Sequence, residues 1–330
     1  MIRNGYHRIV RNRRIQKHYS ENSLLWGEDY AAIERTYARN AGNMGTGEGY
    51  SAWEAKEKYL LSWFRRELVT VIQKYRDEPL QDNSESPRIP PIIWIYWWDG
   101  FDNAPPIVKA CVSSTLRHSG TLQVRLIDCH NLGDYISMPA FLEKKQAEGK
   151  MGKAHFSDIV RMMLLSQYGG FWMDATLFCS RTIPEETITD RPFYTCKKQW
   201  NSGTPSHGLW SGWMIGGVPG FRFFRFMADA LTAYWASHDQ AIDYLMMDYL
   251  FQIAYNEFPE LKSAVDNLPP QNTARDELMA RINEAYTPDL FENDTFVYKL
   301  SYRYGKPTER TADGQPTFYA YLLHGDELSK

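Results

Sequence analysis

The sequence predicts an α/β fold: a mostly parallel sheet flanked by helices, with a helical extension at the N-terminus. Three observations carry this reading. From residue 92 onward, short β-branched and aromatic runs alternate with segments of helical period, the pattern of parallel strands joined by crossover helices. The first of those runs, "IIWIYWW", is apolar throughout, as expected of a strand buried on both faces. Before it, residues 21–79 show helical periodicity only. We therefore expect a helical extension with a basic leader over 1–88 and one α/β domain over 89–330.

The elements follow in order. In the extension, Leu24, Leu25, Ala32 and Ile33, then Tyr59, Leu60, Trp63, Leu68 and Ile72, recur at helical spacing. The glycine-rich "NAGNMGTGEGY" between them follows no strand and lacks both GxGxxG and a GK[ST] ending, so it reads as a linker. The polar, proline-bearing "RDEPLQDNSESPRIPP" closes the extension. Beyond the first strand, Pro105 and Pro106 suit a helix start that "IVKACVSSTLRHS" continues. "TLQVRLID" reads as a second strand ending in Asp128. "MPAFLEKKQAEG" and "KAHFSDIVRMMLLSQYGG" read as helices, the latter ended by the Gly169–Gly170 pair. "FWMDATLF", "PFYTC" and "LWSGWMIGG" read as the third, fourth and fifth strands. Helices follow in "FRFFRFMADALTAYWAS" and "DQAIDYLMMDYLFQIAYNEF", then a shorter one near 273–285 and a polar tail containing "FVYKLSYR". There is no internal repeat, and "HGDEL" lies short of the C-terminus, where it cannot act as a retention signal.

Composition narrows the function. At 330 residues, 43% hydrophobic and 15% aromatic, the chain can bury a substantial core. A net charge of −3 argues against a nucleic-acid partner. No apolar run approaches the roughly 20 residues that span a bilayer, and the N-terminus lacks the apolar stretch of a signal peptide, so a cytoplasmic location is expected. Cys111, Cys129, Cys179 and Cys196 fall singly, without zinc spacing, and read as free thiols. The leader holds Arg3, Arg8, Arg11, Arg13, Arg14 and Lys17 with no acidic residue before Glu21. It suits either an anionic membrane surface or a solvated terminus.

Ligands of open α/β sheets bind where loops leave the carboxyl ends of strands. Asp174, which interrupts "FWMDATLF", belongs at that edge. Beside the Thr176 hydroxyl, its carboxylate can hold a hard divalent cation. Asp158 and Arg161 share a helix face, and a turn at Gly169–Gly170 can bring both to the same ligand. The residues alone leave a second reading open, a surface ion pair and a turn-capping Asp. Asp243 and Asp248, about 140° apart on one helix, cannot both face a ligand. Asp248, inside "MMDYLF", is the costlier to bury without purpose, and is assigned to the acceptor side. His155 is placed to orient Asp158. Trp210 and Trp213 read as a sugar platform or as core. "KKQWNSGTPSHG" suits a lid.

The block "SDIVRMMLLSQYGGFWMDATLF" resembles the SD-x-x-R … YGG-x-x-x-D-x-D segment of glycosyltransferases with the GT-A fold. It is most similar to the DXD sugar-binding family (family 32) and, within it, to the capsular polysaccharide synthesis proteins. "IPPIIWIYWWDG", "SGWMIGG", "AIDYLMMDYL" and "VYKLSYR" resemble further segments of that group, over roughly residues 88 to 305. The resemblance implies a retaining hexosyltransferase that moves a sugar from a UDP- or GDP-linked donor to a glycan or lipid-linked glycan of a surface or capsular polysaccharide. It implies Mn²⁺ or Mg²⁺ on Asp174 and Thr176, with His324 of "YLLHGD" matching a C-terminal metal ligand. It assigns donor-sugar hydroxyls to Asp158 and Arg161, and the nucleobase to Trp97. Thr176 stands where DXD has its second Asp, which predicts weaker metal binding; the capsular branch carries D-A-T there. Two alternatives follow: a non-catalytic sugar-binding homologue, and a sugar-phosphate transferase of capsule assembly. A nicotinamide enzyme is not expected, because no glycine fingerprint follows either early strand.

Overall fold

The computed structural model describes residues 23–40, 47–79, 88–198, 203–303 and 307–325. The basic leader and part of the expected lid segment lie outside them. The extension forms α1 (Glu28–Asn40), α2 (Glu48–Glu67) and α3 (Val69–Arg76). Its apolar positions Leu60, Phe64, Leu68, Ile72 and Tyr75 are buried and belong to the main core.

The sheet is built from β1 (Ile92–Tyr96), β2 (Gln123–Ile127), β3 (Gly170–Met173), β5 (Phe193–Thr195) and β6 (Met214–Gly217), in the order β2-β1-β3-β6-β5. β1 pairs parallel with both β2 and β3, while β6 runs antiparallel to β3 and β5. The sheet is therefore mostly parallel, as its run-and-helix alternation predicts. β1 is buried on both faces, whereas β2, at the edge, alternates between exposed and covered positions. The connections are α4 (Pro106–His118), between β1 and β2, and α5 (Ala140–Ala147) and α6 (Lys153–Tyr168), before β3. The chain thus leaves β1 toward β2 on one side and returns to β3 on the other. That reversal opens a crevice at the carboxyl ends of β1 and β3.

Four expectations need correction. "FWMDATLF" is not one strand. Leu177 N–H donates to the Asp174 carbonyl (3.0 Å), closing a turn, and the chain leaves the sheet. It re-forms as β4 (Leu177–Cys179), which pairs antiparallel with β7 (Val297–Lys299) in a separate ribbon. "LWSGWMIGG" is strand only over β6, so Trp210 and Trp213 precede it. After a short α7 (Glu185–Thr189) and the long α8 (Arg222–Ser237), the next helix, α9, spans only Met246–Glu257. Asp243 lies before it and the shared-helix argument for Asp243 and Asp248 falls. Its carboxylate instead accepts from Lys56 at 2.7 Å. Beyond α10 (Pro259–Asp266), the helix expected near 273–285 shortens to α11 (Glu277–Ala280), and α12 (Phe318–His324) closes the described chain. An apolar run records burial and not the extent of the element or the strand it pairs with.

α6 packs against α8 on one side of the sheet, and α4 packs against β4 and α12 on the other. Among the described residues, no helix is long and apolar enough to cross a membrane. Cys111, Cys179 and Cys196 are buried free thiols and Cys129 is exposed.

Candidate functional site

The turn between α6 and β3 sets the site. Gly169 caps the helix with its N–H on Leu165 O (3.0 Å), and both Gly169 and Gly170 take positive φ. A Cβ on Gly170 would come within 2.7 Å of Ile92 O, so only glycine lets β3 close onto β1. This turn folds the Asp158–Arg161 face of α6 back over the end of β3. Arg161 Nη1 donates to Asp158 Oδ1 (3.0 Å) and Nη2 to Asp174 Oδ1 (3.2 Å). The guanidinium also lies over the Trp172 ring (4.9 Å) and against Met247 Sδ (2.9 Å). Gly212 admits this contact, since a Cβ there would meet Met247 at 2.1 Å. Arg161 is thereby buried and fixed.

Asp174 is the hub. Its backbone N–H donates to Trp213 O (2.9 Å), which follows from the β3–β6 register that sets Met173 opposite Met214. Its Oδ1 also accepts from Trp172 Nε1 (2.8 Å), and its Oδ2 from Lys299 Nζ (2.6 Å). Burial pushes the Asp174 carboxyl up, but Lys299 and then Arg161 pull harder and hold it below the ordinary carboxylate value. Lys299 was not among the expected residues. It sits across the β4–β7 ribbon from Leu177, and its Nζ also donates to Thr176 Oγ1 (2.8 Å). The signal was present in "VYKLSYR", but nothing local ties that lysine to an Asp far upstream.

These residues line a cleft of about 460 Å³, within the range of small-ligand sites. Trp97, Asp158, Arg161, Asp174, Thr176, Trp213 and Asp248 all line it. Trp97 continues β1 and packs edge-on against Tyr302 (5.1 Å). The Nε1 of Trp97 and the Tyr96 hydroxyl are buried without a hydrogen-bond partner among the described residues. Asp248, in the first turn of α9, accepts from Trp210 Nε1 (2.9 Å), and burial pushes its carboxyl up to about 6. Trp210 is core, stacked on Phe251 at 4.2 Å, and not a sugar platform; Trp213 faces the cleft, with Arg275 over its ring.

Two expected residues lie off the cleft wall. His155 is buried behind Asp158, with Nδ1 at 3.8 Å from Asp158 Oδ2. His324 ends α12, where its Nε2 meets Glu309 at 2.9 Å, and it does not line the cleft. The residues at the D-A-T positions do not fit a divalent cation. The one carboxylate is engaged on both oxygens by Lys299, Arg161 and Trp172, and the Thr176 hydroxyl accepts from the same ammonium. Among the described residues, no group of three or more His, Cys, Asp or Glu could hold a metal.

Comparison with known proteins gives three findings. Residues 50–322 match the family model described as capsular polysaccharide synthesis protein. Over 102 residues the chain is 30% identical to O-glycosyltransferase braB of Annulohypoxylon truncatum, covering 28% of this chain and 24% of that protein. It is likewise 30% identical over 102 residues to O-glycosyltransferase PaGT of Phomopsis amygdali, covering 28% of this chain and 25% of that protein. The chain thus spans about a quarter of the length of these curated relatives. Among solved structures, PaToxG Glycosyltransferase aligns with a TM-score of 0.40 at 17% identity, covering 64% of this chain and 82% of that one.

Proposed function

We propose, for a chain that belongs to the capsular polysaccharide synthesis protein family, that the cleft transfers a hexose from a nucleoside diphosphate donor to a glycan acceptor. One observation carries the reading. At the carboxyl edge of β1 and β3, the fixed charges Asp158, Arg161, Asp174 and Lys299 converge beside the aromatic wall of Trp97 and Tyr302. An aromatic wall suits a nucleobase, cations suit a diphosphate, and a carboxylate with an open lone pair suits sugar hydroxyls.

The reaction asks little covalent chemistry of the protein. The bond from the anomeric carbon to the donor phosphate oxygen breaks, and its electron pair leaves with the diphosphate. The acceptor oxygen bonds to the same carbon, on the face the phosphate leaves, and its proton passes to the leaving phosphate. The anomeric configuration is retained. Asp158 accepts hydrogen bonds from the donor sugar. Arg161, held by Asp158, Asp174 and the Trp172 face, keeps that carboxylate in place. Asp248 lies on the α9 side of the cleft, opposite the diphosphate, and orients the acceptor hydroxyl as a carboxylate. Charge developing on the leaving group meets donors already in position, which is where such sites gain most of their rate.

The test is a panel of UDP- and GDP-sugars with the full chain, reading released nucleotide with and without glycan acceptors. Nucleoside diphosphate release from at least one donor is expected, lowered roughly a hundredfold by Asp158→Ala. Release of nucleoside monophosphate would mean sugar-phosphate transfer. Binding without release would mean a sugar-binding protein.

A further inference from the structure

We propose that Lys299, with Arg303 at the rim, is the counter-charge for the donor diphosphate, so that this site works without a divalent cation. The inference rests on the donor-site reading above and adds to it the identity of the charge that receives the leaving group.

The argument starts from position. Lys299 Nζ lies 2.6 Å from Asp174 Oδ2 and 2.8 Å from Thr176 Oγ1. Those are the two oxygens that the D-A-T segment offers a cation. A magnesium ion on Asp174 would sit at about 2.0–2.1 Å from its ligand oxygen, and so within the space the ammonium holds. It would have to displace Lys299 while remaining beside that lysine and Arg161, with no second carboxylate at the D-A-T positions to offset the like charges. Asp158, which also lines the cleft, already pairs one oxygen with Arg161 at 3.0 Å.

Lys299 is also placed to act. It ends β7, where register sets it opposite Leu177, and its backbone N–H is held by Arg275 O at 2.7 Å. An ammonium has three donors. Two are spent on Asp174 and Thr176, and the third is uncommitted among the described residues. The side chain lines the cleft and is 27% exposed, so an oxyanion can reach it. Arg303 follows on the same segment and lines the cleft too, with no carboxylate partner among the described residues. A point charge held on a rigid strand, followed by a guanidinium on the outer side, fits successive phosphates of a diphosphate. In the transfer step the electron pair of the broken bond moves onto a phosphate oxygen within reach of Lys299. No oxidant, reductant or additional ion is required for balance.

The experiment is titration calorimetry of UDP and GDP into the full-length protein, in EDTA and again with Mn²⁺ or Mg²⁺. At least one nucleotide is expected to bind in EDTA, with affinity changed less than about threefold by either metal. Lys299→Ala should weaken binding in EDTA by about tenfold or more, and Lys299→Arg should recover most of it. Thermal unfolding shows whether each variant is folded. If Lys299→Ala is not, the wild-type comparison of EDTA with metal decides, together with Arg303→Ala, for which a several-fold loss is expected. Nucleotide binding that needs metal, or that is equal in wild type and folded Lys299→Ala, overturns this inference and leaves the transferase reading standing. No binding of either nucleotide under any of these conditions overturns both.

Discussion

On the proposed reading of the cleft, Asp248 is where stability and function pull apart. Burial raises its carboxyl to about 6, and the Trp210 hydrogen bond only partly offsets this. The folded value lies above the unfolded one, so ionising Asp248 opposes folding. The penalty grows as pH rises from the ordinary carboxylate value to about 6 and is constant above it. Asp248→Asn keeps an acceptor for Trp210 and removes the charge. It should stabilise the protein at pH 7.5 by up to about 3 kcal/mol, read as a higher Tm, while lowering transfer. The wild-type rate should fall as pH drops through about 6. A variant that gains neither stability nor a catalytic defect would remove Asp248 from the acceptor side. Asp174 has the opposite sign. Its folded value is lowered, so its ion pairs stabilise the fold above the ordinary carboxylate pKa and are lost as pH falls through that lower value. Asp174→Asn leaves Lys299 and Arg161 less compensated, and should cost about 3 kcal/mol by chemical denaturation.

At the scale of elements, the helix–turn–strand unit of α6, Gly169–Gly170 and β3 brings Asp158, Arg161 and Asp174 together. That unit is local, so the meeting of the three side chains could be read from sequence. Their residues alone left a surface ion pair and a turn-capping Asp open, and the family resemblance supplied the ligand roles. A Cβ on Gly169 would meet Gly217 O and Pro219 at 2.7 Å, and its φ is positive. Gly169→Ala should therefore destabilise by about 2 kcal/mol or more, with urea midpoints as the check. Lys299 was not legible, because it reaches Asp174 across 125 residues through a ribbon whose strands are only three residues each. The break between β3 and β4 was hidden for the same reason: an apolar run records burial and not pairing partner. The helical extension joins the site through Lys56. It is buried on α2 between Glu34 of α1 (2.6 Å) and Asp243 (2.7 Å), in the segment that carries Tyr244 to the cleft rim. Burial opposes its charge, but Asp243 and Glu34 prevail and its pKa is raised. Lys56→Met strands two buried carboxylates, and a loss of about 3–5 kcal/mol is expected.

At the scale of the whole molecule, the sheet does one thing for function: it brings the ends of β1 and β3 together where the strand order reverses. The expected α/β architecture followed from the alternation of runs and helices, and the cleft follows from that architecture. One of the charges inside it comes from beyond the sheet: Lys299 of β7 pairs with Asp174 and Thr176, and the metal-free chemistry proposed above rests on that contact. The most direct measurement is a crystal structure of the protein with the nucleoside diphosphate that the donor panel selects. The account predicts the base against Trp97 and the diphosphate within hydrogen-bond distance of Lys299 at the end of β1 and β3. A nucleotide bound anywhere else on the chain, or with its phosphates turned away from Asp174 and Lys299, would contradict it.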